Sequence, residues 1–151
     1  MRAQVSIIVT LALLPLSACS IPRLPATPTA TVRNVSLVKQ TDQGAKIEAV
    51  VLLSNPNATP LPLVEYRYSL KVDGGGSFEG ADQVHRTLPA SARQAVHLPA
   101  AFATQGMDLR GASYTIDGSI SYRPPGQLRK LMTESKIPLP CVHFQANGQL
   151  E

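Results

Sequence analysis

Two cysteines, three histidines and ten carboxylates are the residues of this 151-residue chain best able to do covalent, metal or proton-transfer chemistry. Cys141-Val142-His143 sets a thiol and an imidazole two positions apart. A closed metal site needs about four nitrogen or sulfur ligands. His85 and His97 lie far off in sequence, so the Cys–His pair reads as surface or end-of-strand residues. Ser77, Asp82 and His85 share a short stretch, but no Gly-x-Ser-x-Gly occurs to mark a nucleophile. Glu48, Glu65, Glu79 and Asp117 read as solvated strand-face or loop charges and not as a general acid–base pair. The sequence thus predicts no enzyme, and neither a metal nor any other cofactor.

The other cysteine has a different setting. Arg2 supplies a thin basic start, and residues 5–16 form an almost unbroken apolar run interrupted by Pro15. A span of the hydrocarbon core needs roughly 20 apolar residues, so this run is too short to cross a bilayer and fits a cleaved secretory signal. Leu16-Ser17-Ala18-Cys19 follows it and resembles the lipobox of bacterial lipoproteins. Small residues suit the narrow pocket of a signal peptidase, and the cysteine thiolate is the nucleophile that a lipid transfer requires. The resemblance implies cleavage between Ala18 and Cys19, a diacylglycerol thioether on Cys19 and acylation of its freed amine. An ordinary signal peptide followed by a chance cysteine is the competing reading. One acyl chain holds a protein on a membrane only marginally, whereas two or more anchor it stably. Ser20, where an aspartate would retain a lipoprotein at the inner membrane, implies by the same resemblance the periplasmic face of an outer membrane.

Pro22, Pro25 and Pro28 favour an extended spacer after the cysteine. The expected organisation is a signal over residues 1–18, a lipidated cysteine and linker over 19–31, one folded domain over 32–140 and a tail over 141–151. The net charge is +4, and loss of Arg2 with the signal leaves +3. The cations are scattered singly apart from Arg129-Lys130, and Trp is absent. A nucleic-acid interface would need clustered cations and aromatic platforms, so no nucleic-acid partner is expected.

Thirteen prolines and ten glycines, with abundant Val, Leu, Thr and Ser, point to many short strands and turns. Alternation of period two is clearest in three places. Ile47, Ala49, Val51 and Leu53 share one face. Val64, Tyr66, Tyr68, Leu70 and Val72 share another, and Tyr114, Ile116, Gly118, Ile120 and Tyr122 a third. Weaker strands are expected over 32–39, 77–80, 93–98 and 128–139, with a short helix over 101–109. Seven strands separated by turns predict an all-β, antiparallel sandwich. Asp73-Gly74-Gly75-Gly76 supplies a tight hairpin and lacks the Gly-Lys-Ser/Thr of a phosphate loop. Pro124-Pro125-Gly126 is another turn.

Asn55-Pro56-Asn57, followed by Pro60-Leu61-Pro62-Leu63 and the Tyr66-x-Tyr68-x-Leu70 strand, resembles the group 2 late-embryogenesis-abundant (LEA type 2) domain, also called the water-stress and hypersensitive-response domain. Leu88-Pro89-Ala90, Tyr114-x-Ile116-x-Gly118-x-Ile120 and Ile137-Pro138-Leu139-Pro140 continue the likeness across residues 31–140. A glycine is expected just before Ile137, where this chain has Ser135-Lys136. Asn55, Pro56 and Asn57 read as a structural turn: Pro56 fixes φ, and the asparagines can bond nearby backbone. The resemblance implies a fibronectin type III-like sandwich, no catalysis and an association with desiccation stress. Three functions follow: a stress-protective, membrane-anchored envelope lipoprotein; a module that binds or transfers lipid, with slight support from Val50, Leu52 and Leu63 on outward positions; or an adaptor that pairs with another envelope protein through an edge strand.

Overall fold

The computed structural model describes residues 25–104 and 106–151, so the apolar run, Ala18 and Cys19 fall outside the described residues. Eight antiparallel strands and one helix follow in order: β1 Thr29–Gln40, β2 Gly44–Ser54, β3 Leu61–Val72, β4 Gly76–Gln83, β5 Thr87–Leu88, β6 Arg93–Ala103, β7 Ser113–Tyr122, α1 Gln127–Glu134 and β8 Cys141–Gln149. Two sheets result. One has the order β1-β2-β6; the other has the order β4-β3-β7-β8, with the two-residue β5 beside β3. Seven strands are long and β5 is an eighth of two residues, pairing Leu61 with Leu88 and Pro62 with Thr87.

The core lies between the sheets because one face of each strand is apolar. Ile47, Ala49, Val51 and Leu53 of β2 are fully buried, and Val96, Leu98, Ala100 and Phe102 of β6 face inward beside them. Leu70, Ile116 and Ile120 meet them from the other sheet. Pro99 sits in β6 without disrupting the ladder because β6 is an edge strand, where a missing N–H costs no hydrogen bond. Tyr68 joins the two layers: its hydroxyl donates to the Pro99 carbonyl, and its ring lies 5.9 Å from that of Phe78.

Four expectations are corrected. Residues 128–139 are not a strand. They contain α1, whose Leu128, Leu131 and Met132 fall at helical spacing, and a return segment behind it. The tail over 141–151 is instead β8, paired along the whole of β7 from Ser121–Cys141 to Ser113–Gln149. Its alternation buries Val142 and Phe144 while Cys141, His143 and Gln145 face out. The helix over 101–109 is the end of β6 and a loop, because Ala100 and Phe102 alternate inward along β2. Finally, Thr29, Ala30 and Thr31 belong to β1 and not to the linker.

The phase of β3 is also broken. Leu61 and Leu63 are buried at its start, Tyr68, Leu70 and Val72 at its end. A register shift between Leu63 and Glu65 makes Val64 an extra residue, and a bulge of this kind moves the side chains to opposite faces on its two sides. Leu63 is therefore a core residue, and Val50 and Leu52 are half-buried.

Candidate functional site

Asn55 is the polar side chain on which the linker-side end of the sandwich is built. It is 1% exposed. Its Nδ2 donates to the Thr59 carbonyl at 2.9 Å and the Pro89 carbonyl at 3.0 Å. Its Oδ1 accepts from the Asn57 N–H and the Asn57 side-chain amide, both at 3.0 Å. Asn57 in turn grips the incoming chain: Ala26 N–H donates to its Oδ1 at 2.7 Å, and its Nδ2 donates to the Ala26 carbonyl at 2.8 Å. The side-chain amide copies the two-bond pairing of a strand neighbour, so residues 25–28 are strapped against the domain, with Pro28 buried.

Opposite the strap stands α1. Ser135 N–H donates to the Leu131 carbonyl at 2.9 Å and Ile137 N–H to the Met132 carbonyl at 3.0 Å, with Lys136 between them at φ 54°. This is a Schellman ending, in which the residue after the helix cap takes a left-handed conformation. Glycine is favoured there, which accounts physically for the glycine expected before Ile137. The lysine adopts the same shape at a cost of about 1 kcal/mol. The ending brings Ile137 back beside Met132.

Between strap and helix runs an apolar groove of about 400 Å³. Leu61 and Tyr122 form its floor, Pro25 and Ala26 one wall, and Leu128, Met132 and Ile137 the other. Burial, and then the neighbouring Cys141 thiol, push the Tyr122 hydroxyl above its ordinary pKa of 10.0, so the floor stays uncharged. Ile137 in the second wall is 50% exposed, and its neighbours in the same segment, Leu131 on α1 and Leu139 before β8, are exposed at 56% and 39%. A second, polar concavity of about 830 Å³ lies on the outer face of the larger sheet, lined by Arg67, Ser69, Glu79, Asp117, His143 and Gln145.

The remaining sequence candidates are dispersed. Cys141 Sγ lies 3.3 Å from His143 Nε2, both on the outer face of β8, and Cys141 is an exposed free thiol. His97 Nδ1 instead meets Glu48 Oε1 at 2.9 Å across β2 and β6, and Arg67 Nε meets Glu65 Oε1 at 2.8 Å. Ser77 and Asp82 stand at opposite ends of β4, with His85 beyond it. Among the described residues no three of His, Cys, Asp and Glu gather as metal ligands would. The groove was missed in the sequence because its helical wall was read as a strand. The spacing of Leu128, Leu131 and Met132 was the available signal.

No family model and no curated protein matches the chain. Solved structures do match. A solution structure named as a late embryogenesis abundant protein, At2g46140.1, superposes with a TM-score of 0.61 at 20% identity, over 82% of this chain and 70% of that one. The fold is LEA-related. AT1g01470 from Arabidopsis thaliana gives the same TM-score at 14% identity, over 90% of this chain and 88% of the other. At these identities the likeness concerns architecture alone.

Proposed function

We propose that the chain is a non-catalytic lipoprotein of the bacterial cell envelope, held by lipid on Cys19 and carrying a stress-protective LEA type 2 domain. The observation that carries the reading is Leu16-Ser17-Ala18-Cys19 at the end of the apolar run over residues 5–16. The LEA-related fold supports the protective role, and with it the fibronectin type III-like arrangement of the seven long strands. The non-catalytic reading is supported by how the polar groups are used: Asn55 and Asn57 in a turn and a strap, Glu48 and Glu65 in surface ion pairs. Ser20 favours the outer membrane.

Expression in cells treated with globomycin tests the anchor. The precursor should accumulate, and Cys19→Ala should remove the lipid. An unchanged, fully processed chain under the inhibitor overturns the lipoprotein reading. The protective role is tested separately, by drying a desiccation-sensitive enzyme with and without the protein. No gain in surviving activity over an equal mass of serum albumin removes the stress role and leaves the anchor standing.

The groove favours a second reading, in which the domain holds a lipid acyl chain between strap and helix. Native mass spectrometry of the purified protein should then show co-purified lipid, lost on replacing Met132 with a charged residue.

A further inference from the structure

The two ends of the sandwich differ in charge. The loops at the strap end, residues 55–60, 84–92 and 123–140 outside β5, carry Arg86, Arg123, Arg129, Lys130 and Lys136 against Glu134, which is 5 − 1 = +4. Those at the far end, residues 41–43, 73–75, 104–112 and 150–151, carry Arg110 against Asp42, Asp73, Asp108 and Glu151, which is 1 − 4 = −3. The +4 end also exposes Leu131, Ile137 and Leu139, and Ile137 lines the apolar groove.

We propose that this end is a docking surface for an anionic phospholipid bilayer, and that it seats the domain with the groove and the Ile137–Leu139 segment against the lipid. The inference rests on the lipoprotein reading for its geometry. Pro25 is a wall of the groove, and only residues 20–24 lie between it and Cys19. The six steps from Cys19 to Pro25 reach at most about 20 Å. The strap holds Ala26 to Asn57, so the chain enters the domain at this end, and this end is the one the attachment keeps nearest the lipid. Apolar side chains ringed by cations are what an anionic interface takes up, the cations drawn to the headgroups and the apolar groups entering beneath them. The far end, with its surplus of carboxylates, is repelled. Attachment through Cys19 supplies proximity, and the docking surface supplies orientation.

The chain has no tryptophan, so one introduced residue is a clean reporter. Ile137→Trp probes the docking end and Met107→Trp, in the loop after β6, the far end; both native side chains are exposed. Each full-length chain is expressed and scored for membrane attachment by fractionation and globomycin sensitivity. The recovered protein is reconstituted in vesicles of phosphatidylglycerol and phosphatidylcholine, or mixed with them if it is recovered free. Ile137→Trp should shift to the blue and lose emission to brominated lipid, and Met107→Trp should do neither. High salt, and Lys130→Glu with Lys136→Glu, should reverse the Ile137→Trp response while leaving attachment intact. Equal quenching at both sites, quenching at neither, or an Ile137→Trp shift that requires a second copy of the chain and not vesicles overturns the proposal. Attachment without quenching defeats docking alone. Quenching of a chain that is recovered free defeats the lipoprotein reading alone.

Discussion

Asn55 concentrates more hydrogen bonds than any other side chain at the strap end, and all of them are local architecture. Replacing it with alanine leaves the Thr59 and Pro89 carbonyls and the Asn57 N–H without its amide, in bonds that are part-buried. Losses of this kind cost about 1–3 kcal/mol for each group left buried and unpaired, relieved in part here because Thr59 and Pro89 are exposed residues whose carbonyls water can reach. Asn55→Ala should therefore lower the unfolding free energy by about 3 kcal/mol, read by urea denaturation. A loss below half of that would mean the loop closes up without the amide. The turn was legible in the sequence because Pro56 fixes φ at the end of a strand and the flanking asparagines can bond nearby backbone. The strap was not, since nothing in residues 25–28 announces that Asn57 will bond them.

Tyr68 carries the other informative polar atom. Burial first, and then Tyr66, push its hydroxyl from the usual 10.0 up to about 12. A folded-state pKa above the unfolded one means that the stabilisation is fully present below about pH 10 and is lost as the pH rises through about 12. Tyr68→Phe should be less stable than the parent by about 1 kcal/mol at neutral pH, because the Pro99 carbonyl loses its donor. The difference should shrink between pH 10 and 12, where Tyr68 ionises in the unfolded parent before it does in the folded one. Urea melts across that range check it. A constant gap would show that the Tyr68 hydroxyl ionises alike in the folded and unfolded chains. Some alkaline sensitivity remains in the variant, since burial also raises Tyr66, Tyr114 and Tyr122.

At the scale of the element, strand alternation was the most readable feature, and its failures have distinct causes. In β2 the inward set Ile47, Ala49, Val51 and Leu53 follows the period without interruption. In β3 a single extra residue at Val64 reverses the phase, and no residue type in Leu63-Val64-Glu65 marks a bulge. In β8 the period was present in Val142, Phe144 and Ala146, but the strand begins only after the Pro138-Leu139-Pro140 run that looked like an ending. Gly118 in β7 is a third case, a glycine that breaks an otherwise apolar face. A methyl group there would sit 2.6 Å from the Arg67 carbonyl and 2.7 Å from Tyr68 Cβ, with the Phe144 ring lying across the gap from β8. The strand therefore keeps a glycine where its neighbours approach too closely for a side chain. Gly118→Ala should cost about 1–3 kcal/mol, the usual effect of overpacking, because two of the three obstructing groups are backbone or next to it. An unchanged melting temperature would show that β3 and β8 can move aside.

The whole molecule depends on the strand that the sequence left out of the domain. A boundary at Pro140 would make residues 141–151 dispensable. The structure gives them β8, which covers the open edge of β7 along nine residue pairs from Ser113–Gln149 to Ser121–Cys141. Val142, Phe144 and Leu150 are buried at 7%, 4% and 4%, and Phe144 is the ring that lies over Gly118. The Leu150 N–H also donates to the Ala112 carbonyl, and the Leu37 N–H to the Glu151 carbonyl, so the last residues tie β1 and the approach to β7 together. Removing the segment strips three apolar side chains from the core, at about 2–5 kcal/mol for each large one, before the lost ladder is counted. Typical domains have only about 5–15 kcal/mol to lose. It also leaves β7 as a long edge with Ile116 and Ile120 uncovered, a template for pairing between chains. A chain ending at Pro140 should therefore fail to fold and should aggregate, whereas Cys141→Ser, which changes one exposed atom, should melt with the parent. Circular dichroism and size-exclusion chromatography of the two variants decide it. A soluble, cooperatively melting chain that ends at Pro140 would show that the sandwich closes without β8.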